Sequence, residues 1–395
     1  MKNENLVPKV RFKGFSDPWE QRKFTDLTKI YSGLTYSPND IRETGTLVIR
    51  SSNIQNNKIV SADNVYVQSD IVNSINVSVD DVIVVVRNGS RSLIGKHALV
   101  SRNMPNTVIG AFMTGLRGNG RYMNALLGTD IFKKEVYKTL GATINQITNR
   151  DFRLMIFGTP SDIEKQQIGN LNTEVDNLIA ANEDKLEQLK TLKKLLMQKI
   201  FSQEWRFKGF TDPWEQRKLG DIYAKNNERN NGQFDVHRTI SIANMYFKEG
   251  GNGASVKSLA NYKVLRIGDI AFEGHESKQF AYGRMVMNDI GDGIMSPRFT
   301  AFRPINRQIV SFWKVLIHYE PIMKYILVRS TKKGTMMNEL VVEDFLNNSL
   351  NIPSEKEQDR VGNVFQTLSS LIAANEDKLQ QLKELKKYLM QNMFV

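Results

Sequence analysis

The chain has 395 residues, 41% of them apolar, which is enough for two separate cores, and nothing in the composition points to disorder. It has no cysteine, so disulfides and thiolate metal sites are excluded. Lysine and arginine outnumber aspartate and glutamate by 54 to 42, and the net charge of +12 is the electrostatic footprint of a polyanion-binding protein.

The N-terminal stretch MKNENLVPKVRFK lacks the apolar core of a secretory signal, and no run approaches about 18 uncharged apolar residues. The expectation is a soluble, cytoplasmic protein. Residues 12–23 read FKGFSDPWEQRK and return at residues 207–218 as FKGFTDPWEQRK, with Ser16 against Thr211 as the single difference. The offset of 195 is too long for a solenoid repeat and suits a duplicated domain.

From about residue 27 to 157, short β-rich runs alternate with polar turns: TLVIR (46–50), VIVVV (82–86) and TVIGAFMTGLR (107–117). After the Asp81 strand comes a polar loop with Arg87, Asn88, Ser90 and Arg91, and a second one follows Gly141 with Asn145, Gln146, Asn149 and Arg150. Together with Lys96 and Arg117, these are side chains of the kind that hydrogen-bond base edges and phosphates. Taken singly, each loop reads as a solvated turn. The string from Gly115 through Gly118 to Gly120 lacks the order of a dinucleotide fingerprint and reads as turns.

A long amphipathic run opens at Pro160-Ser161, where Ser161 and Glu164 have capping-box spacing. Apolar residues at Ile168, Leu171, Val175, Leu178, Leu186, Leu189, Leu192, Leu196 and Ile200 keep steps of three and four. Forty helical residues span roughly 60 Å.

The second copy repeats this plan with altered surfaces. RTISIAN (238–244) and RFTAFRP (298–304) read as strands. Asp269-Ile270 matches Asp81-Val82, Arg303 matches Arg117, and Gly334 matches Gly141. Its corresponding loops carry His275, Lys278 and Gln279, then Lys332, Lys333 and Asn338, with Arg284 and Arg298 nearby. From Pro353-Ser354 a second long helix follows, and its residues 371–387 repeat residues 178–194 with only Glu187/Gln380 and Thr191/Glu384 changed.

Asn182 and Asn375 interrupt the apolar stripes at equivalent places, as a register-fixing polar residue in a coiled-coil seam would. The two helices are therefore expected to pack on one another, with Leu178, Asn182, Leu186 and Leu189 facing Leu371, Asn375, Leu379 and Leu382. The plainer reading lays each helix on its own domain. Because the second FKGF motif follows the first helix directly, the first motif should dock beside the end of the second helix at Phe394. Quasi-twofold symmetry then makes the pair antiparallel, with one globular domain at each end.

The fold class expected is α+β, with two β-rich domains separated by a pair of long antiparallel coiled-coil helices. The boundaries fall at residues 1–160, 161–201, 202–352 and 353–395. Four scattered histidines (His97, His237, His275, His318) have no metal-ligand spacing, and no P-loop, paired-carboxylate nuclease pattern or Asn-Pro-Pro-aromatic methyltransferase motif is present. His275 beside Glu276 reads as solvated polar side chains. No catalysis and no bound metal is expected of this chain alone.

Two divergent β-rich segments, each opened by the DPWEQRK element and closed by a LIAANEDKLxQLKxLKK helix, resemble the specificity subunit of Type I restriction-modification enzymes. The resemblance covers essentially the whole chain. It implies two target recognition domains, each reading one half of an asymmetric bipartite site in double-stranded DNA. It implies spacer helices that set the half-site spacing and dock two modification (methyltransferase) subunits. S-adenosylmethionine, ATP and magnesium would be bound by the modification and restriction subunits, not by this chain. The alternative is a repeat scaffold that binds two copies of one protein partner without reading DNA sequence.

Overall fold

The computed structural model describes residues 6–140, 145–335 and 337–395. It divides into two compact units, Met1–Asp184 with Glu376–Val395, and Lys185–Asn375. This partition cuts both long helices at mid-length, where the sequence reading placed boundaries at their starts. Each half-helix packs with the globular part of its own unit, so the helices belong to both.

At the centre of the first unit is an antiparallel sheet ordered Lys29–Ser32, Met113–Arg117, Asp81–Val85, His97–Leu99. The strand Asp81–Val85 is buried along its length, and its continuous apolar run feeds two cores in alternation. Val82 and Val84 pack with Leu116, Tyr122 and Phe132, while Ile83 and Val85 pack with Ile49, Ile54 and Met113. A second sheet pairs Thr107–Ile109 in parallel with Thr46–Ile49, followed by Val65–Val67 and Ile41–Arg42. The run 107–117 is therefore two strands in different sheets, broken at residues 110–112. Gly115 lies within a strand, paired with Tyr31 and Ile83, not in a turn, and it must be glycine because the Tyr31 ring fills the space a Cβ would need, 2.0 Å away.

The second unit repeats the central sheet strand for strand: Tyr223–Asn226, Thr300–Pro304, Ile270–Glu273, Arg284–Met287. Again the buried central strand serves two cores, Ile270 and Phe272 on one side and Ala271 on the other. In the run 238–244 only Ile240–Ser241 is strand. The repeated motif forms the same two-stranded ribbon in each unit, Glu20–Lys23 with Ile156–Thr159 and Glu215–Lys218 with Ser349–Ile352.

The long helices are Asp162–Phe201 and Glu355–Asn392. Within the first unit, residues 162–184 run antiparallel to residues 376–392: Lys386 pairs with Asp176, and Lys383 Nζ lies 2.8 Å from Glu183 Oε1. Within the second unit, residues 185–201 run antiparallel to 355–375. There Lys193 Nζ donates to Ser369 Oγ at 2.9 Å and Phe201 stacks on Phe365. Lys193 and Lys386 are equivalent positions, so the two repeats close their helix pairs with the same cation.

The buried seam follows a strict seven-residue spacing, Ile168, Val175, Asn182 and Val361, Leu368, Asn375, continued by the half-buried Leu189, Leu196, Leu382 and Leu389. Leu186 and Leu379 are also half-buried. Leu178 and Leu371 depart from expectation: they are 50% and 48% exposed. A two-helix seam is narrow, and a residue three past Val175 or Leu368 falls on its flank. Both asparagines are buried, and each amide donates to the carbonyl four residues earlier, Leu178 and Leu371, at 2.7 Å.

The helix starts differ from the expected capping box. Ser161 Oγ accepts from the Glu164 N–H at 3.4 Å, but the Glu164 carboxylate is held elsewhere. It accepts from Arg11 at 2.7 and 2.9 Å and from the Trp19 indole at 3.2 Å. Arg206 holds Glu357 in the same way at 2.9 and 2.6 Å. A buried carboxylate gains more from a guanidinium than from one backbone N–H. Trp19 meets Phe394 edge-on at 6.1 Å and Trp214 meets Phe201 edge-on at 6.4 Å, so the first motif does dock beside Phe394.

Candidate nucleic-acid interface

Each central strand ends in a polar loop, and in both units the fold brings a second polar loop against it. In the first unit Arg87 bridges Gln146 in antiparallel fashion, the Ile147 N–H donates to the Val86 carbonyl at 2.8 Å, and Asn145 Nδ2 donates to the Gly89 carbonyl at 3.1 Å. Asn88 Oδ1 accepts from the Ser90 N–H at 2.9 Å, and Ser90 Oγ lies 2.9 Å from Ser92 Oγ. Asn149 Nδ2 reaches Ser32 Oγ at 3.5 Å, at the start of the helix Asn149–Leu154. Arg87, Arg91 and Arg150 are exposed and Lys96 is half-buried, and none has an acidic partner among the described residues. Gly141, expected to lead this second loop, lies outside the described residues.

In the second unit the Asn338 N–H donates to the Gly274 carbonyl at 2.9 Å, and Asn338 Nδ2 to the Ala281 carbonyl at 3.2 Å. Gly274 is required there, because a Cβ would stand 2.1 Å from the Asn338 carbonyl. Lys278, Gln279, Arg298 and Lys333 are exposed. His275 bonds to Glu273, two residues back, and not to Glu276.

Besides His275, four residues read as DNA-facing have other engagements. Arg117 binds Asp81 with Nε at 2.8 Å and Nη2 at 2.7 Å, and those bonds raise its already high pKa. Arg284 is tied to the Ala243 carbonyl and lies 3.5 Å from Glu273. Asn338 is 6% exposed and braces the two loops. Lys332 sits 3.5 Å from Glu339 at a solvated edge. The sequence spacing marks polar residues near a turn but cannot show which of them are already paired.

Aromatic residues were missed. Phe112 is 53% exposed with the Arg87 guanidinium 5.0 Å above its ring, and Tyr137 is exposed with Arg91 at 5.8 Å. Phe112 was hidden inside an apolar run read as one strand. At the other end of each central strand, away from the loops, the electrostatics are matched in the two units. The Asp81 carboxylate also accepts from the Tyr31 hydroxyl at 2.8 Å, and Asp269 accepts from Asn226 Nδ2 at 3.1 Å and from Arg303. Burial drives the Tyr31 hydroxyl and the Asp269 carboxyl up, the latter against the pull of Arg303.

A cleft of about 1510 Å³ in the second unit, lined by Lys193, Arg307 and Lys314 together with Glu215 and Asp289, includes none of the loop residues. Among the described residues no group of three or more histidine, aspartate or glutamate side chains could hold a metal ion, and no helix is long and apolar enough to cross a membrane.

These features define a duplicated α+β protein that presents two unlike polar surfaces on one repeated frame. Residues 16–191 match the family described as the Type I restriction modification DNA specificity domain. Over that stretch, which is less than half of its length, the chain is similar to Type I restriction-modification specificity subunits. It is 26% identical over 198 residues to the StySPI specificity subunit of Salmonella potsdam, covering 47% of this chain and 42% of that protein. To the EcoKI specificity subunit of Escherichia coli K12 it is 25% identical over 196 residues, covering 46% and 41%. The matched part thus spans less than half the length of these relatives. The S subunit of the M. genitalium Type I system has the same fold, with a TM-score of 0.63 over 98% of this chain and 99% of that one at 14% identity.

Proposed function

We propose that this chain is the non-catalytic, sequence-reading component of its complex, each unit recognising one half of an asymmetric bipartite DNA site. One observation carries the reading. The two units keep the same frame, down to a buried aspartate pinned by an arginine, while the loops mounted on it share almost no residues. A surface that merely had to be soluble would not require two so different solutions on one scaffold. Exposed cations neutralise phosphates and so make binding steeply salt-dependent, while the divergent polar groups discriminate bases.

The helices behave oppositely: residues 178–194 return at 371–387 with only two changes, so most of their exposed positions are kept. Leu178/Leu371 and Leu192/Leu385 are exposed apolar pairs at equivalent places, and Leu195/Tyr388 is a third pair in which both members are exposed. Near-identical surface presented twice supports two copies of one partner, here the modification subunits. S-adenosylmethionine, ATP and magnesium belong to those and the restriction subunits. The helices set the half-site spacing.

Mapping methylated adenines in cells with and without this chain tests the proposal. A bipartite motif that disappears with the chain, and one half of which changes when the loops of one unit are exchanged, is expected. One extra helical turn in both long helices adds roughly 5 Å, or about one to two base pairs of spacer. A motif indifferent to the chain would favour the protein-scaffold alternative.

A further inference from the structure

We infer that Arg87 and Phe112 act as one reading element of the first unit, specific for a thymine next to a guanine in the major groove. This rests on the DNA-reading proposal above and names the step that this unit recognises.

The break at residues 110–112 turns Phe112 outward and then fixes it. Its carbonyl accepts from the Val86 N–H at 3.0 Å and the Arg87 N–H at 3.2 Å, so the backbone beneath the ring is tied to the end of the central strand. Its neighbour Met113 is 2% exposed, yet the Phe112 ring remains 53% exposed among polar loop residues. The Arg87 guanidinium lies over the ring with Cζ 5.0 Å from the centroid and has no acidic partner among the described residues. Stacking on the ring restricts the guanidinium and leaves its edge donors free.

A phosphate needs only a cation, and a ring beneath it adds nothing. A base step uses both parts of the pair: arginine donates to guanine O6 and N7, and phenylalanine contacts the thymine methyl. The 5.0 Å offset between the two groups is of the order of the ~3.4 Å rise between adjacent base pairs. Gln146 bridges Arg87 from the second loop, while the Asn88 amide is held by Ser51 and Ser90 beside it. In the second unit Arg284 stacks on Phe280 at 4.9 Å but is also held by Ala243 and Glu273, so the inference is confined to the first unit.

The test uses the full chain co-expressed with its modification subunits. Methylated-adenine mapping first gives the half-site assigned to the first unit by loop exchange, and a T-G step within it is expected. Binding is then compared on DNA carrying thymine or uracil at that position, uracil lacking only the methyl. Wild type should lose about fourfold, the effect of one buried methyl group. Phe112→Ala should bind both DNAs equally, Phe112→Leu should retain part of the difference, and Arg87→Ala should relax the preference for guanine. Thermal melts equal to wild type are expected for all three variants, since both side chains are exposed. The inference is overturned by a half-site without a T-G step, by Phe112→Ala keeping the thymine preference, or by a loss of binding equal on all sequences. Absence of any bipartite motif would instead remove the DNA-reading proposal itself.

Discussion

Arg117 grips the buried carboxylate of Asp81 with two nitrogens, Nε 2.8 Å from Oδ1 and Nη2 2.7 Å from Oδ2, and Arg303 does the same to Asp269 at 3.1 and 2.9 Å. Each pair joins neighbouring strands of its central sheet at the end of the central strand away from the polar loops. Asp81 is 1% exposed whereas Arg117 is partly solvated, so the cation is screened but the anion is not. Removing the arginine leaves the carboxylate buried with only Tyr31 and the Ser78 N–H. Arg117→Ala should cost about 2–4 kcal/mol, between the values for exposed and buried pairs. In denaturant melts the first unit should unfold earlier while the second keeps its midpoint. An unchanged first transition would contradict this.

The end of each long helix supplies one aromatic residue to the motif of one unit. Phe394, 4% exposed, packs on Trp19 and Tyr122; Phe201, 7% exposed, packs on Trp214, Tyr319 and Phe365. Either Phe→Ala change should cost about 3–5 kcal/mol, the usual loss for a core aromatic. Phe394→Ala should expose the segment around Val10, whose N–H donates to the Asn392 carbonyl at 3.0 Å. Limited proteolysis should then cut near residue 10 in this variant and spare the wild type. Equal resistance would show that the C-terminal residues do not secure the first motif.

His97 links stability to pH. It is 4% exposed on the edge strand of the first unit, with Nδ1 3.0 Å from the Gly95 carbonyl and Nε2 3.2 Å from the Asn124 carbonyl. Burial lowers its pKa below the ordinary value near 6.5, although the two carbonyls pull the other way. A base whose folded pKa is depressed contributes its stability above the unfolded pKa and loses it as pH falls through the folded one. The first unit should therefore lose stability as pH drops below about 6.5, and His97→Gln should flatten that dependence. Melting temperatures at neutral and mildly acidic pH decide it: a variant as steep as wild type would assign the loss to other groups.

The repeat makes the long helices and the docking of the first motif beside Phe394 legible, because duplicated residues constrain one another. Asp81 aligns with Asp269 and Arg117 with Arg303, yet the alignment does not reveal their partnership, since 36 residues of chain separate the members of the first pair. That separation is why Arg117 was read as DNA-facing. Periodicity gave the helices but misplaced Leu178 and Leu371, because steps of three and four describe an apolar stripe wider than the seam one neighbouring helix covers. Phe112 was invisible for a related reason: an apolar run reads as one strand until the turn at Gly110 is known.

Those misplaced leucines yield the final prediction. Leu178, Leu385 and Tyr388 in the first unit are matched by Leu371, Leu192 and Leu195 in the second, all of them between 39% and 52% exposed. Leaving six large apolar side chains in water at duplicated positions is unfavourable unless something covers them. The proposed cover is one modification subunit per unit. Leu178→Glu should then remove one of the two and Leu371→Glu the other, leaving one bound in each case, while the double variant binds neither. Because the side chains are half-exposed, melts of the isolated chain should shift by less than about 1 kcal/mol. Native mass measurement of the co-expressed complex reads the stoichiometry directly. Two modification subunits on the double variant would place their docking surface elsewhere, and loss of both from either single variant would mean that the sites are not independent.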